Sequence, residues 1–295
     1  MSETAAPTGD AVRLIEAASV ILLRDGPSGL ETFAVVRHRK SSTFAGMLVF
    51  PGGQVDAADA SAAIHARCAD LAPAEAARRL ALAPPERAMA QYVAGLRELF
   101  EEAGVLLARR DGRWIDPGGL GDHDLSRVRA ALHGAETDLA ALCEELSLEL
   151  APGELDFFAH WITPEGIPTR FDTRFFLAPL PPSQEARHDG RETSAGEWLT
   201  PADALARYRR GEAQLVPPTF MLLSELSQLG DVASARAAAR TRDVMTILPR
   251  CYSEESGPAF LYPGDVAYEG GDPARPGPRR RLVTRDGLFR EVAED

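Results

Sequence analysis

Three glutamates and one arginine crowd into six residues of the stretch RELFEEAGV, which runs from Arg97 to Val105. If this segment is helical, Glu98, Glu101 and Glu102 stand at i, i+3 and i+4 and stack on one face. Like charges at that spacing cost a few tenths of a kcal/mol each, and the Arg97–Glu101 pair at i, i+4 offsets only part of it. Two readings are open for the segment alone. One is an ordinary solvated acidic face. The other is a cation site, because a small divalent ion such as Mg2+ takes hard oxygen ligands and leaves positions for water and phosphate oxygens.

The elements around the segment favour the second reading. The apolar positions Met89, Val93, Leu96, Phe100 and Val105 recur at helical spacing, which predicts a helix from about Arg87 to Leu107. Gly104 is placed to cap it. Upstream, MLVF (47–50) reads as a short strand that runs straight into Pro51-Gly52-Gly53, and glycine lets backbone approach an ion or phosphate closely. Strand, diglycine and carboxylate helix would together make one device.

Other strands are expected at 17–24, 31–39, 156–163, 170–180 and 197–200, with a short helix starting at PADALARY. Residues 60–88 are Ala- and Arg-rich and helical in propensity, broken by Pro73 and Pro84-Pro85, and residues 120–150 also favour helix. The chain from about Val244 is rich in Pro and Gly and ends in a predicted hairpin around Asp286-Gly287. Strands and helices without a regular βα alternation point to an α+β fold.

Composition sets the outer bounds. The 295 residues are 45% apolar, enough for one large core. A net charge of −12 argues against nucleic acid or an anionic membrane as the main partner. It leaves room for a nucleotide held through a metal ion. Cys68, Cys143 and Cys251 are widely spaced and odd in number, which suits a reducing compartment without disulfides. The polar N-terminus lacks the apolar run of a signal peptide, and no run of ~20 apolar residues is present. The expectation is a cytoplasmic protein.

The motif itself resembles a known family. PGG followed by R-E-L-F-E-E-A-G-V is similar to the signature of the Nudix hydrolases: glycine, five residues, glutamate, seven residues, then R-E-U-x-E-E-x-G-U with U aliphatic. The second half matches at every specified position. In the first half Gly53 fits, and Asp59 stands where the family usually has glutamate. About 30 extra residues separate Asp59 from Arg97. One branch, resembling the peroxisomal coenzyme A diphosphatases, carries such a helical insert, and FPGGQVDAAD (50–59) and TPEG-P-RFDTRFF (163–176) also look like it. The likeness covers roughly residues 17–220.

That resemblance implies the Nudix fold, a mixed β-sheet sandwiched between helices, with helical insertions and an irregular C-terminal extension. Its expected parts are a disordered tail (1–14), a Nudix domain (15–225) with the insert at about 60–88, and a helix-and-hairpin extension (226–295). It implies Mg2+ or Mn2+ held by Glu98, Glu101, Glu102 and the Gly53 carbonyl. Arg97 would orient the carboxylates, and either Glu98 or Glu101 would act as general base. The reaction would be hydrolysis of a diphosphate joining a nucleoside to another moiety, with CoA or acyl-CoA first and ADP-ribose or a dinucleoside polyphosphate as alternatives. A catalytically silent nucleotide-binding module is the non-enzyme alternative, against which the intact R-E-x2-E-E argues.

Substrate contacts are expected from two places. Arg39 and Lys40 precede the diglycine and would meet the 3′-phosphate of CoA, unless they belong to a solvated edge strand. Arg170 and Arg174 share one face of RFDTR with Asp172, and would form either an arginine fork on phosphate or a cross-strand ion pair. Asp59 would brace the helix or lie solvated in a loop. Glu192 and Glu197 would add a ligand or base from a loop, or be surface acids. His65 and Cys68 lack a second Cys/His pair and make no zinc set. The insert would cover the site, and the extension would serve as an interaction element or as the arm of a homodimer.

Overall fold

The computed structural model describes residues 14–41, 43–116, 125–134, 136–270 and 277–294. Its contacts divide the chain into two compact units. One comprises Ala17–Ala159 and Arg174–Val244, the other Met1–Glu16, His160–Thr173 and Met245–Asp295.

The first unit is built on a sheet. β1 (Leu14–Gly26) and β2 (Gly29–Arg37) form an antiparallel hairpin, and β3 (Leu48–Val49) and β4 (Gly52–Gln54) pair with β2 and β1 respectively. The helices that follow are α1 (Ala62–His65), α2 (Pro73–Leu80) and α3 (Pro85–Ala103). A three-stranded sheet follows, from β5 (Ala108–Arg110), β6 (Arg113–Trp114) and β7 (Glu149–Leu150), with α4 (Leu125–His133) and α5 (Leu139–Glu145) between its strands. The main sheet is completed by β8 (Asp156–Ile162), β9 (Arg170–Pro179) and β10 (Thr193–Leu199), in the order β10-β2-β1-β9-β8. Then come α6 (Pro201–Arg209), α7 (Pro217–Leu226) and α8 (Val232–Thr241).

Ala17–Leu23 are buried without interruption, so both faces of β1 are covered. On one face lies α3. Gly95 lets it come close: a methyl there would sit 3.2 Å from the Val20 side chain on β1. Thirteen of the nineteen residues of α3 are buried, which makes it the centre of the core and not a surface helix. Its polar face is what remains for chemistry. Pro85 starts it and Gly104, in the left-handed region at φ 71°, ends it.

In the second unit β11 (Thr246–Ile247) runs parallel to the end of β8, at His160–Trp161. A four-stranded antiparallel sheet follows from β12 (Arg250–Glu254), β13 (Gly257–Leu261), β14 (Arg279–Arg285) and β15 (Leu288–Glu294). The Asp286-Gly287 turn has positive φ at both residues, as a tight hairpin requires.

The expected strands and the carboxylate helix are all present. The 120–150 region differs: it is two short helices and a strand, because Asp138 caps a new helix and Glu149–Leu150 pair with β5. Parts of that region, 120–124 and 135, lie outside the described residues, as do most of the expected tail and Ser42. The insert also differs from a simple cover. Ile64, Leu71, Ala76 and Leu80 are buried in the same core as α3, so it is a structural part of the unit.

Candidate active site

The diglycine has two separate steric reasons. A methyl on Gly52 would lie 2.5 Å from the Ala18 carbonyl oxygen of β1, and one on Gly53 would collide with the Glu98 carboxylate. Gly52 is therefore set by strand pairing and Gly53 by the approach of α3. The strand end is held from the other side, where Ser19 Oγ and the Val20 amide both donate to the Pro51 carbonyl.

Arg97 braces the face. Its Nε and Nη2 each donate to Asp59 at 2.9 Å, its Nη1 donates to Glu98 Oε1 at 2.7 Å, and Nη2 also reaches the Gln54 carbonyl. Glu101 Oε2 stands 3.6 Å from Nη1. Asp59 is 2% exposed and also accepts the Asp56 amide. The shorter side chain thus reaches Arg97 with both oxygens. Burial works against the charge of Arg97, yet the bonds to Asp59 and the Glu98 carboxylate hold its pKa above the ordinary arginine value.

Glu102 is the most buried of the three carboxylates, at 1% exposure. Its Oε2 accepts the Gly52 amide at 3.0 Å and its Oε1 accepts Arg37 Nη1 at 3.2 Å. Burial, then the neighbouring Glu98 charge, pushes Glu102 up to about 8. Burial likewise raises Glu98 to about 7, against the pull of Arg97, and raises Glu101. All three are desolvated carboxylates without enough positive charge beside them.

The last turn of α3 is fixed from outside. Arg129 Nε donates to the Glu101 carbonyl at 2.7 Å, and His133 Nε2 lies 2.9 Å from the same oxygen.

Gly53, Asp59, Arg97, Glu98, Glu101 and Glu102 therefore converge. Glu192 stands near them. Its charge acts on all three helix glutamates, and its Oε2 is 3.5 Å from Arg37 Nη2. Glu197 is engaged elsewhere, by Arg207 at 2.6 Å. Arg39 and Lys40 are exposed in the turn after β2. Arg174 is buried in β9 at 3% exposure. Arg170 lies in the second unit and donates to the Thr163 carbonyl, and in that unit Asp172 pairs with His160. His65 Nε2 lies 2.9 Å from the Asp59 carbonyl oxygen and Cys68 Sγ donates to the Ile64 carbonyl. Sequence reasoning read Arg37 only within the basic run that holds Arg39 and Lys40, and missed Arg129 and His133. Their partners lie 28 to 65 residues away along the chain, and no local pattern signals such contacts.

Comparison with known proteins places the fold. A Nudix hydrolase of known structure from Alicyclobacillus acidocaldarius superposes with a TM-score of 0.65 at 28% identity, over 77% of this chain and 97% of that one. The fold is that of a Nudix hydrolase. Residues 10–226 match the profile described as the NUDT19 Nudix domain, and the chain belongs to that family. Two similar relatives are each named acyl-coenzyme A diphosphatase NUDT19. The one from Gallus gallus is 28% identical over 95% of this chain and 86% of its own length. The one from Xenopus laevis is 24% identical over 88% and 77%.

Proposed function

We propose that this chain is a metal-dependent pyrophosphohydrolase that cleaves the diphosphate of CoA or an acyl-CoA. Water is added across the phosphoanhydride, leaving a phosphopantetheine and adenosine 3′,5′-bisphosphate. The observation that carries the reading is the face of α3, where three desolvated glutamates meet a diglycine strand under an arginine brace. The names of the chicken and frog relatives supply the substrate class.

The donors fit a hard divalent cation in kind: carboxylate oxygens, and main chain laid open by glycine. Glu98 Oε2 and Glu101 Oε1 accept no hydrogen bond from the described residues, while Glu102 has both oxygens engaged. As they stand, no three acidic, His or Cys side chains among the described residues are close enough to hold one ion between them. Glu98, Glu101, Glu102 and the Gly53 carbonyl would hold Mg2+ or Mn2+, which when bound neutralises phosphate charge and polarises the phosphoanhydride.

The chain's own groups do the rest. Arg97 fixes the Glu98 carboxylate, and Glu98 or Glu101 takes the proton of the attacking water. Arg39 and Lys40, exposed beside the end of β2, bind the 3′-phosphate. No helix among the described residues is long and apolar enough to cross a membrane, and a cytoplasmic location is the reading that composition supports.

The test is product analysis by mass spectrometry with Mg2+ or Mn2+ and a panel of CoA, acyl-CoA, ADP-ribose, NADH and diadenosine polyphosphates. The expected result is metal-dependent cleavage of CoA or acyl-CoA at the diphosphate. Preferential cleavage of another panel member would overturn the substrate. No cleavage with metal shown to bind would favour a silent nucleotide-binding module.

A further inference from the structure

Arg37 ends β2, and its main chain closes the loop that carries Arg39 and Lys40. Its amide donates to the Met47 carbonyl and its carbonyl accepts the Gly46 amide, both at 3.1 Å. Its side chain turns the other way, toward α3. Nη1 donates to Glu102 at 3.2 Å and Nη2 to Glu192 at 3.5 Å, while the buried Nε finds no acceptor among the described residues. The next residue repeats the link, since the His38 amide donates to the Glu192 carbonyl at 2.8 Å.

We infer that Arg37 is a positioning residue for the metal-site carboxylate Glu102, with Glu192 holding the guanidinium from the solvent side. The inference rests on the metal-dependent reading of α3 given above. Glu102 is clamped between two fixed donors, the Gly52 amide on Oε2 and Arg37 on Oε1, so its carboxylate plane is set before a cation arrives. Arg37 bridges Glu102 and Glu192, donating from one Nη to each. Because 51% of the Glu192 side chain is exposed, that outer pair adds little stability. Its effect is on the direction of the guanidinium. Gly46 and Met47 are thereby tied to the main chain of Arg37, and Glu102 and Glu192 to its side chain, so one residue joins the substrate-side loop to the metal face.

The test compares Arg37→Gln, Arg37→Lys, Glu192→Gln and the Arg37→Gln/Glu192→Gln double variant. Mn2+ affinity is read without substrate by the electron paramagnetic resonance signal of free Mn2+, and kcat and KM are then measured on the best substrate. Arg37→Gln should weaken Mn2+ binding about tenfold and lower kcat ten- to a hundredfold with KM within threefold. Arg37→Lys should recover part of both losses. Glu192→Gln should shift both in the same direction by less, and should add nothing in the Arg37→Gln background. Unchanged Mn2+ affinity in Arg37→Gln would overturn the inference, and so would a change in KM alone. If Arg37→Gln does not fold, Arg37→Lys and Glu192→Gln decide, and wild-type Mn2+ affinity in both would overturn it. The Mn2+ arm needs no substrate, so a wrong substrate assignment leaves it intact.

Discussion

Removing Asp59 tests whether the arginine brace carries the geometry of the site. Asp59→Ala deletes both acceptors of Arg97 Nε and Nη2, and the acceptor of the Asp56 amide. The Arg97 side chain is 11% exposed and that of Asp59 is 2% exposed, so the surviving guanidinium is left largely out of water. Breaking a buried pair from one side costs ~3–5 kcal/mol. Arg97 keeps Glu98 and the Gln54 carbonyl, which places the loss near the lower end, about 3 kcal/mol. The lost bond to the Asp56 amide adds ~1 kcal/mol. The sum, about 4 kcal/mol, corresponds to a fall in Tm of roughly 10 °C for a unit of this size. Asp59→Asn keeps one acceptor and should lose about half as much. Asp59→Glu installs the residue usual in the signature, but adds a methylene to a filled position and should cost ~1–3 kcal/mol. The assay is thermal unfolding by circular dichroism in EDTA. A fall of less than 2 °C for Asp59→Ala would refute the idea that this pair fixes the helix to the 57–60 turn.

Three further outcomes are expected. Gly53→Ala forces the Glu98 carboxylate off the strand, so Mn2+ affinity should drop at least tenfold, with far-ultraviolet circular dichroism unchanged; wild-type affinity would contradict the steric reading of Gly53. Glu101→Gln should cut kcat by at least a hundredfold in a protein whose Tm stays within a few degrees, and near-normal turnover would remove Glu101 from the face that reacts. Stability should also couple to pH and metal. Glu98 and Glu102 are raised from 4.5 to about 7 and about 8, so between about pH 4.5 and 8 the native state binds more protons than the unfolded chain. Their contribution to stability therefore falls as pH rises through that window. A cation that displaces those protons offsets the loss, so the Mg2+-induced gain in Tm should be larger at pH 8 than at pH 5. An equal gain at both would show that the glutamates do not bind the ion.

Much of the device was legible because it is local. The i, i+3, i+4 spacing of Glu98, Glu101 and Glu102 follows from helix geometry, and the helix itself from apolar periodicity with Gly104 at its end. The diglycine turn and the strands around it could be read from apolar runs and turn residues in the same way. The insert was legible as helix but not as core, because whether Leu71 and Leu80 cover a site or fill the interior depends on what lies against them.

The remaining decisions belong to tertiary structure. Asp59 and Arg97 are 38 residues apart, Arg37 and Glu102 are 65 apart, and the pairing of β1 with both β2 and β4, packed against α3, brings them into contact. Burial was decided there too. The sequence determined that three carboxylates share a helix face. Folding took that face out of water, and desolvation turns a mild surface repulsion into a strong demand for positive charge.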